Sequence, residues 1–349
     1  MHVFVTIPLD KRGAPVSKDV GGLVTDLFGP GRPPWPGAYY FVRTWDRATG
    51  LECLQLSLES DVITAGEAGE RVHQAAAAHG LRPTVAEVPF EEIPSPLWNS
   101  GVGGTAFAAA TKALYRAVAP VLAQIVPTLG GDTALTYLLV LRLMVAHTGA
   151  TVLESEQRQL ADHDFAELLS LRLFSYRSHY EGAKHALAGD PASLDRRFAS
   201  YYDTLGDHVQ DFIRDCAASR PTAGDDPAQA WADVVRLHYG PVREQCRAGV
   251  IAHDGPGLDD VRDASRPPSD FHAAMSAEMS DFLQNDPDFL AYRIHTSLLY
   301  SCLYTIGFGL PERFLFCYLL ARANEDVAGK ETGELAQGLS AVVRELANR

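Results

Sequence analysis

Cysteine is scarce and scattered in this chain. There are five in 349 residues (Cys53, Cys216, Cys246, Cys302 and Cys317), an odd number with no C-x-x-C pair. That usage supports neither a disulfide framework nor a zinc site, and it points to reduced thiols in a cytoplasmic protein. Basic residues are outnumbered, 30 Lys and Arg against 44 Asp and Glu, for a net charge of −14. The imbalance weighs against a general phosphate-binding surface and so against nucleic acid as a partner. The amino-terminal MHVFVTIPLDKRG lacks the basic region and long apolar run of a signal peptide, and it reads as a first strand. The most apolar segment, ALTYLLVLRLMVA over 134–146, is too short to span a bilayer and carries Arg142. It is expected to be a buried core helix, and the chain to be soluble with no membrane partner. H-E-x-x-H, G-x-S-x-G and Walker patterns are missing, as is any repeat of fixed period.

What is present is ample material for a core, 46% hydrophobic residues. Four β-branched and aromatic runs, at 2–8, 38–45, 51–59 and 83–90, predict strands, with a helix intervening at 66–79. DRATG between the second and third runs resembles a hairpin loop, and FGPGRPPWPG (28–37) is an irregular Pro/Gly loop. Beyond Pro96 the periodicity becomes helical. Helices are predicted over 104–126, 133–147, 156–173, 193–217, 227–248, 269–284, 287–306, 311–324 and 331–347, with loops at 188–193, 219–228 and 253–270. The fold class is therefore α+β. A small antiparallel sheet layer in a β-rich part (1–98) precedes a larger, mainly helical part (99–349), the two packed as one unit. Nothing in the sequence sets an oligomeric state.

Several motifs invite chemistry. SGVGGTA (100–106) matches G-x-G-x-x-A, but no strand precedes it and no βαβ unit surrounds it, so a loop is the better reading. ADHDFAE (161–167) puts Asp162, His163 and Asp164 side by side, where neighbours on a helix point apart and cannot share an ion. It reads as a solvated helix face. FSYRSHYEGAKH (174–185) places Arg177 and Glu181 at i, i+4, an exposed ion-paired helix when taken alone.

The segment DPDFLAYRIHTSLLYSCLYTIGFG (286–309) opens like an ordinary helix, with Asp286 as N-cap, Pro287 in the first turn and Asp288 complementing the dipole. Within it Ser297, Tyr300, Ser301 and Tyr304 fall at i, i+3, i+4 and i+7, a hydroxyl stripe along one face of a largely apolar helix. Buried hydroxyls need partners, so the stripe must face either polar groups or a ligand.

Taken together, YYFVRTWDRATGLECLQLSLE (39–59), FSYRSHYEGAKH and YRIHTSLLYSCLYTIGFGLPERFLFCYLLARA (292–323) resemble, in order and spacing, the glutamate-elimination domains of lantibiotic dehydratases, especially the stand-alone thiopeptide members. The resemblance implies a fold like that of the elimination domain. Two departures refine it. The family's H-L-R-L-R hairpin strand reads LECLQLSLE here, and the Asn-Arg pair that follows the family histidine (matched by His295) is replaced by Leu299 and Tyr300. Glutamate elimination would need cationic or polar groups for the glutamyl carboxylates.

The altered pattern is similar to the thiopeptide pyridine synthases. Enzymes of that family join two dehydroalanines of one modified peptide in a formal [4+2] aza-cycloaddition. One reacts as the imidic-acid tautomer of its amide. Loss of water and then of the leader peptide, as a carboxamide, gives the pyridine and closes the macrocycle. The resemblance implies a leader-bearing modified precursor peptide as partner and no metal or redox cofactor. It assigns catalysis to Tyr300, Ser297, Tyr304, Ser301 and His295, and substrate binding to Arg177, His179 and Tyr180. Two other activities fit the same resemblance: a split lyase that eliminates glutamate from glutamylated Ser, and a non-catalytic leader-binding subunit.

Overall fold

The computed structural model describes residues 2–9, 18–45, 50–93, 95–97, 102–160, 163–186, 191–218, 226–252, 269, 271–273, 275, 279, 282 and 285–348. The expected loop tips at 46–49, 188–190, 219–225 and 253–268 lie outside them, as do Gly101, Asp162 and part of the helix expected over 269–284.

Four strands form one antiparallel sheet: β1 (His2–Pro8), β2 (Tyr39–Trp45), β3 (Glu52–Glu59) and β4 (Thr84–Glu87), in the order β2-β3-β1-β4. The pairing Val3↔Leu58, Val5↔Leu56 and Ile7↔Leu54 puts six fully buried side chains on one face, as period-2 alternation requires. The pairing Phe41↔Leu56 and Arg43↔Leu54 extends that face across β2 and places Arg43 and Glu52 at its end. The expected 83–90 strand is shorter, because Phe90–Glu92 turns into a 3-10 helix.

The residues group into two compact units. The first comprises Met1–Asn99, Gly104–Gly131 and Thr296–Leu310; the second comprises Ser100–Gly103, Asp132–His295 and Pro311–Arg349. Helical segments from far along the chain thus group with the sheet.

In the first unit the sheet is accompanied by α1 (Lys18–Phe28), α2 (Ala65–Ala78) and α3 (Gly104–Ile125). The sequence pattern does not predict α1, whose Gly21-Gly22 pair and β-branched Val20, Val24 and Thr25 argue against a helix. Packing explains the glycine. A Cβ on Gly22 would lie 2.3 Å from the ring of His79, and that ring bonds Asp26 of α1 at 2.8 Å. A capping box, Thr64 with Glu67, starts α2. Through α3, Arg116 reaches Glu59 at 2.6 Å and Lys112 donates to the Phe90 carbonyl at 2.7 Å.

The second unit is helical: α4 (Thr133–Glu154), α5 (Phe165–Leu173), α6 (Ser175–Ala186), α7 (Pro191–Ala217), α8 (Pro227–Arg247), the start of α9 (Pro287–Thr305), α10 (Leu310–Ala328) and α11 (Thr332–Ala347). Asp132 caps α4 at Ala134 N, 2.7 Å away. At 22 residues α4 runs past its expected end at 147. By length and composition it could cross a bilayer, but 61% of its most apolar window is buried, where it packs on α8, α7 and α5. The single helix expected over 156–173 is broken. Ser155 caps a 3-10 turn, and Asp164 caps α5 by accepting from Glu167 N at 2.8 Å. Of the expected Asp-His-Asp face, Asp164 is thus a helix cap and His163 Nδ1 lies 3.0 Å from Glu167 Oε2, while Asp162 lies outside the described residues.

The loop before β2 generates a prediction. Gly37 has φ +152°, and a Cβ there would sit 1.9 Å from the Glu59 carbonyl oxygen, a backbone atom that cannot rotate away. Gly37→Ala is expected to destabilise the fold by about 2–4 kcal/mol, measured by urea denaturation with the m-value unchanged.

Candidate functional site

The α9 helix gives its first half to the second unit and, from Thr296, its last half to the first. Its start is built as the sequence predicts: Asp286 accepts the Phe289 N–H at 2.7 Å, closing the first turn. Burial raises the Asp286 pKa, against that same hydrogen bond. Asp288 does more than complement the dipole. It accepts from the Ser155 hydroxyl at 2.5 Å and lies 3.4 Å from the Arg172 guanidinium, both partners nearly fully buried. Arg172 also donates to Gln157 at 2.9 Å and lies over the Tyr292 ring at 4.4 Å, while Tyr239 donates to the Asp288 carbonyl at 2.8 Å.

Along the last half the stripe emerges as the more open side of an otherwise buried helix. Ser297, Ser301 and Tyr304 are half-buried, whereas Leu298, Leu299, Cys302 and Leu303 are at most 2% exposed. Tyr300 is also buried, at 9%. Ser301 and Tyr304 have partners that the sequence reading missed. Tyr115 of α3 donates to the Ser301 hydroxyl, and Tyr304 donates its phenolic hydrogen to Glu52 Oε1. Arg43 Nε donates to the same oxygen at 2.5 Å, with both side chains all but excluded from solvent, and its guanidinium lies 4.8 Å from the Tyr304 ring centroid. Thr305 accepts the Arg43 backbone N–H at 3.1 Å, satisfying an edge of β2. The Tyr304 pKa is pushed up to about 12, first by burial and then by its bond to Glu52, with Arg43 opposing. The phenol is therefore protonated throughout the neutral range. Burial likewise lifts Tyr115 well above its ordinary value.

One sequence signal for Arg43 and Glu52 existed. Both stand at positions that period-2 alternation assigns to the apolar face of their strands, where a lone charge is prohibitive and a pair is required.

The other expected site residues belong to the second unit. His295 precedes Ser297 by two residues, about 200° around a helix, and is fully buried against the Tyr239 ring, 5.2 Å between centroids. Its Nδ1 donates to the Ala291 carbonyl at 2.9 Å. Burial holds its pKa down near 4, so it is a neutral imidazole. Buried His147 is similar: Trp231 donates to its Nδ1 at 3.1 Å, and burial, aided by the neighbouring His295 and the Arg172 cation, takes it to about 3. On α6, Arg177 lies 3.0 Å from Glu181 and 3.6 Å from Glu325. Tyr180 is buried and donates to Asp195, which also takes Lys184 at 2.7 Å, while His179 is exposed. The ion-paired helix expected from FSYRSHYEGAKH is thus present, and it sits in the second unit while the stripe sits in the first.

No protein-family model and no curated protein matches this chain. Solved structures do. TsrL superposes with a TM-score of 0.68 at 17% identity, over 97% of this chain and 98% of its own. The pyridine synthase TbtD from thiomuracin biosynthesis superposes with a TM-score of 0.52 at 14% identity, over 94% of this chain and 99% of its own. The tRNA-dependent lantibiotic dehydratase MibB from Microbispora sp. 107891 gives 0.42 at 15% identity, over 94% of this chain and 28% of its own. At such identities the likeness is one of fold. The α+β architecture, a small antiparallel sheet followed by a larger helical part, is shared with TbtD from end to end.

The two buried imidazoles set an acid limit on stability. Unfolded, each takes up a proton near pH 6.5; folded, neither does until about 4 and about 3. Between those values the unfolded state binds more protons, so stability falls as pH drops below 6.5, by up to about 1.4 kcal/mol per pH unit for each histidine. Urea titrations at pH 7, 6, 5 and 4.5 are expected to show this slope, reduced in His147→Phe.

Proposed function

We propose that the protein is a pyridine synthase of thiopeptide biosynthesis. The observation that carries the reading is the end-to-end match of fold with TbtD, 94% of this chain on 99% of that one. Its substrate is a leader-bearing azole peptide containing two dehydroalanines, joined by formal [4+2] aza-cycloaddition and then stripped of water and of the leader carboxamide. The activity of TbtD is carried to this chain by that likeness of fold, and two features of the first unit add support.

One is the hydroxyl face of α9. Forming the imidic tautomer requires a hydrogen-bond donor at one amide atom and an acceptor at the other, and dehydration requires a proton at a leaving hydroxyl. Ser297, Tyr300, Ser301 and Tyr304 supply such groups without a free charge. Most of the acceleration would come from holding two mobile alkenes in near-attack geometry, worth up to several kcal/mol.

The other is the fate of the hairpin arginine. Arg43 is engaged by Glu52 in a buried pair, so it is not open to a glutamyl carboxylate. This weighs against the split lyase. Arg177, His179 and Tyr180 are proposed to contact the peptide outside the reacting centre, with His179 the exposed member.

The test is to incubate the pure protein, without cofactors, with a leader-bearing azole peptide carrying two dehydroalanines, and to follow it by mass spectrometry. A macrocycle lighter by water and the leader carboxamide is expected. Tyr300→Phe or Ser297→Ala is expected to slow its formation by at least about 100-fold with the fold intact by circular dichroism. Unchanged linear peptide with folded wild-type protein sinks the proposal, and glutamate release from a glutamylated peptide favours the lyase.

A further inference from the structure

Within the stripe, Ser301 and Tyr304 differ in hydrogen-bond sense. Ser301 receives the Tyr115 phenolic hydrogen and makes no other side-chain hydrogen bond among the described residues, so its own hydrogen is available. Tyr304 gives its hydrogen to Glu52, so only its oxygen lone pairs are available. Neither sense is free to reverse. Tyr115 is 1% exposed and has no hydrogen-bond partner but Ser301 among the described residues, and the Glu52 carboxylate is acceptor-only and pinned by Arg43 at 2.5 Å. The two outward groups stand at i and i+3 on α9, about 5–6 Å apart at Cβ, both half-buried.

Resting on the pyridine-synthase reading, we infer that Tyr115 and the Arg43–Glu52 pair are positioning residues that fix Ser301 as donor and Tyr304 as acceptor, so that one backbone amide of the peptide docks with its carbonyl oxygen on Ser301 and its N–H on Tyr304. This arrangement gives the reacting amide a direction along α9. Rotating the amide by half a turn would set carbonyl against phenol oxygen and N–H against hydroxyl hydrogen. Burial first, and the bond to Glu52 second, raise the Tyr304 pKa to about 12, so the phenolic hydrogen stays on its oxygen at neutral pH. An amide bound this way meets a fixed dipole field rather than two freely rotating hydroxyls, which lowers the cost of orienting it.

The experiment measures binding and turnover separately. Two peptides are compared as ligands, the leader-bearing azole peptide and its analogue with an ester oxygen in place of the N–H of that amide. Wild type is expected to bind the amide about five- to tenfold more tightly than the ester, the size of one neutral hydrogen bond. In Tyr304→Phe the ratio is expected to fall to about one. In the double variant Arg43→Met/Glu52→Leu, which removes the buried pair together and leaves no lone charge, it should fall equally, because the released phenol hydrogen now opposes the N–H. In Tyr115→Phe the ratio should persist, while kcat for ring formation drops with KM retained and drops no further when Ser301→Ala is added. A ratio that is the same in wild type, Tyr304→Phe and the double variant overturns the assignment, as does a Tyr115→Phe/Ser301→Ala variant whose loss in kcat is the product of the two single losses. Should wild type form no ring yet show the binding ratio, the reaction proposal fails and the amide-docking assignment stands.

Discussion

A carboxylate taken wholly out of water must be neutralised or matched, and Glu52 is such a carboxylate. Its match is Arg43, two residues along the same sheet face, and the phenol of Tyr304 completes it. Losing either charged partner would strand the other at a cost of about 3–5 kcal/mol. The hairpin β2–β3 and the last turn of α9 are therefore held to one another by groups that cannot let go singly. The rotation of α9 about its own axis follows from that bond: with Tyr304 turned to Glu52, Ser301 meets Tyr115, and the half-buried line through Ser297 is set by helical geometry.

The second unit handles its interior polar groups in two ways. Asp288 and Arg172 keep their charges and share them with Ser155, Gln157 and the Tyr292 ring, anchoring the beginning of α9. His147 and His295 give theirs up, each holding a single ring hydrogen that a specific neighbour assigns: Trp231 occupies Nδ1 of one, and the Ala291 carbonyl takes the Nδ1 hydrogen of the other. The helix that carries the hydroxyl stripe is thus fixed at its start by ion pairing and at its end by the buried Glu52.

Such a scaffold favours polarising a neutral group over gripping a charged one. The cation nearest the stripe's end is internally satisfied, and the hydroxyls around it are directional dipoles with raised pKa values that stay protonated. A peptide amide on its way to an imidic acid needs that kind of environment, in which donors and acceptors are preset. This is the chemical sense in which a fold shared with TbtD supports the proposed reaction.

Periodicity alone made much of the architecture legible: three strands to within a residue, the fourth in part, the span of α9 with its Asp286 cap, and the four hydroxyls on one of its faces. Local chemistry decides such features, so a single sequence can carry them. It failed where distant groups compensate a local penalty. In α1, Gly22 is required because the His79 ring, bonded to Asp26 of the same helix, occupies the space a side chain would need, and Asp164 starts a new helix within a pattern that apolar spacing alone would run through unbroken. The site divides along the same line. The sequence determined that hydroxyls line one side of α9. Only the tertiary structure decided that Ser301 would answer to Tyr115 and Tyr304 to Glu52, because residues 186 and 252 positions apart are brought into hydrogen-bond reach by the sheet, by α3 and by the cost of burying a charge without a partner.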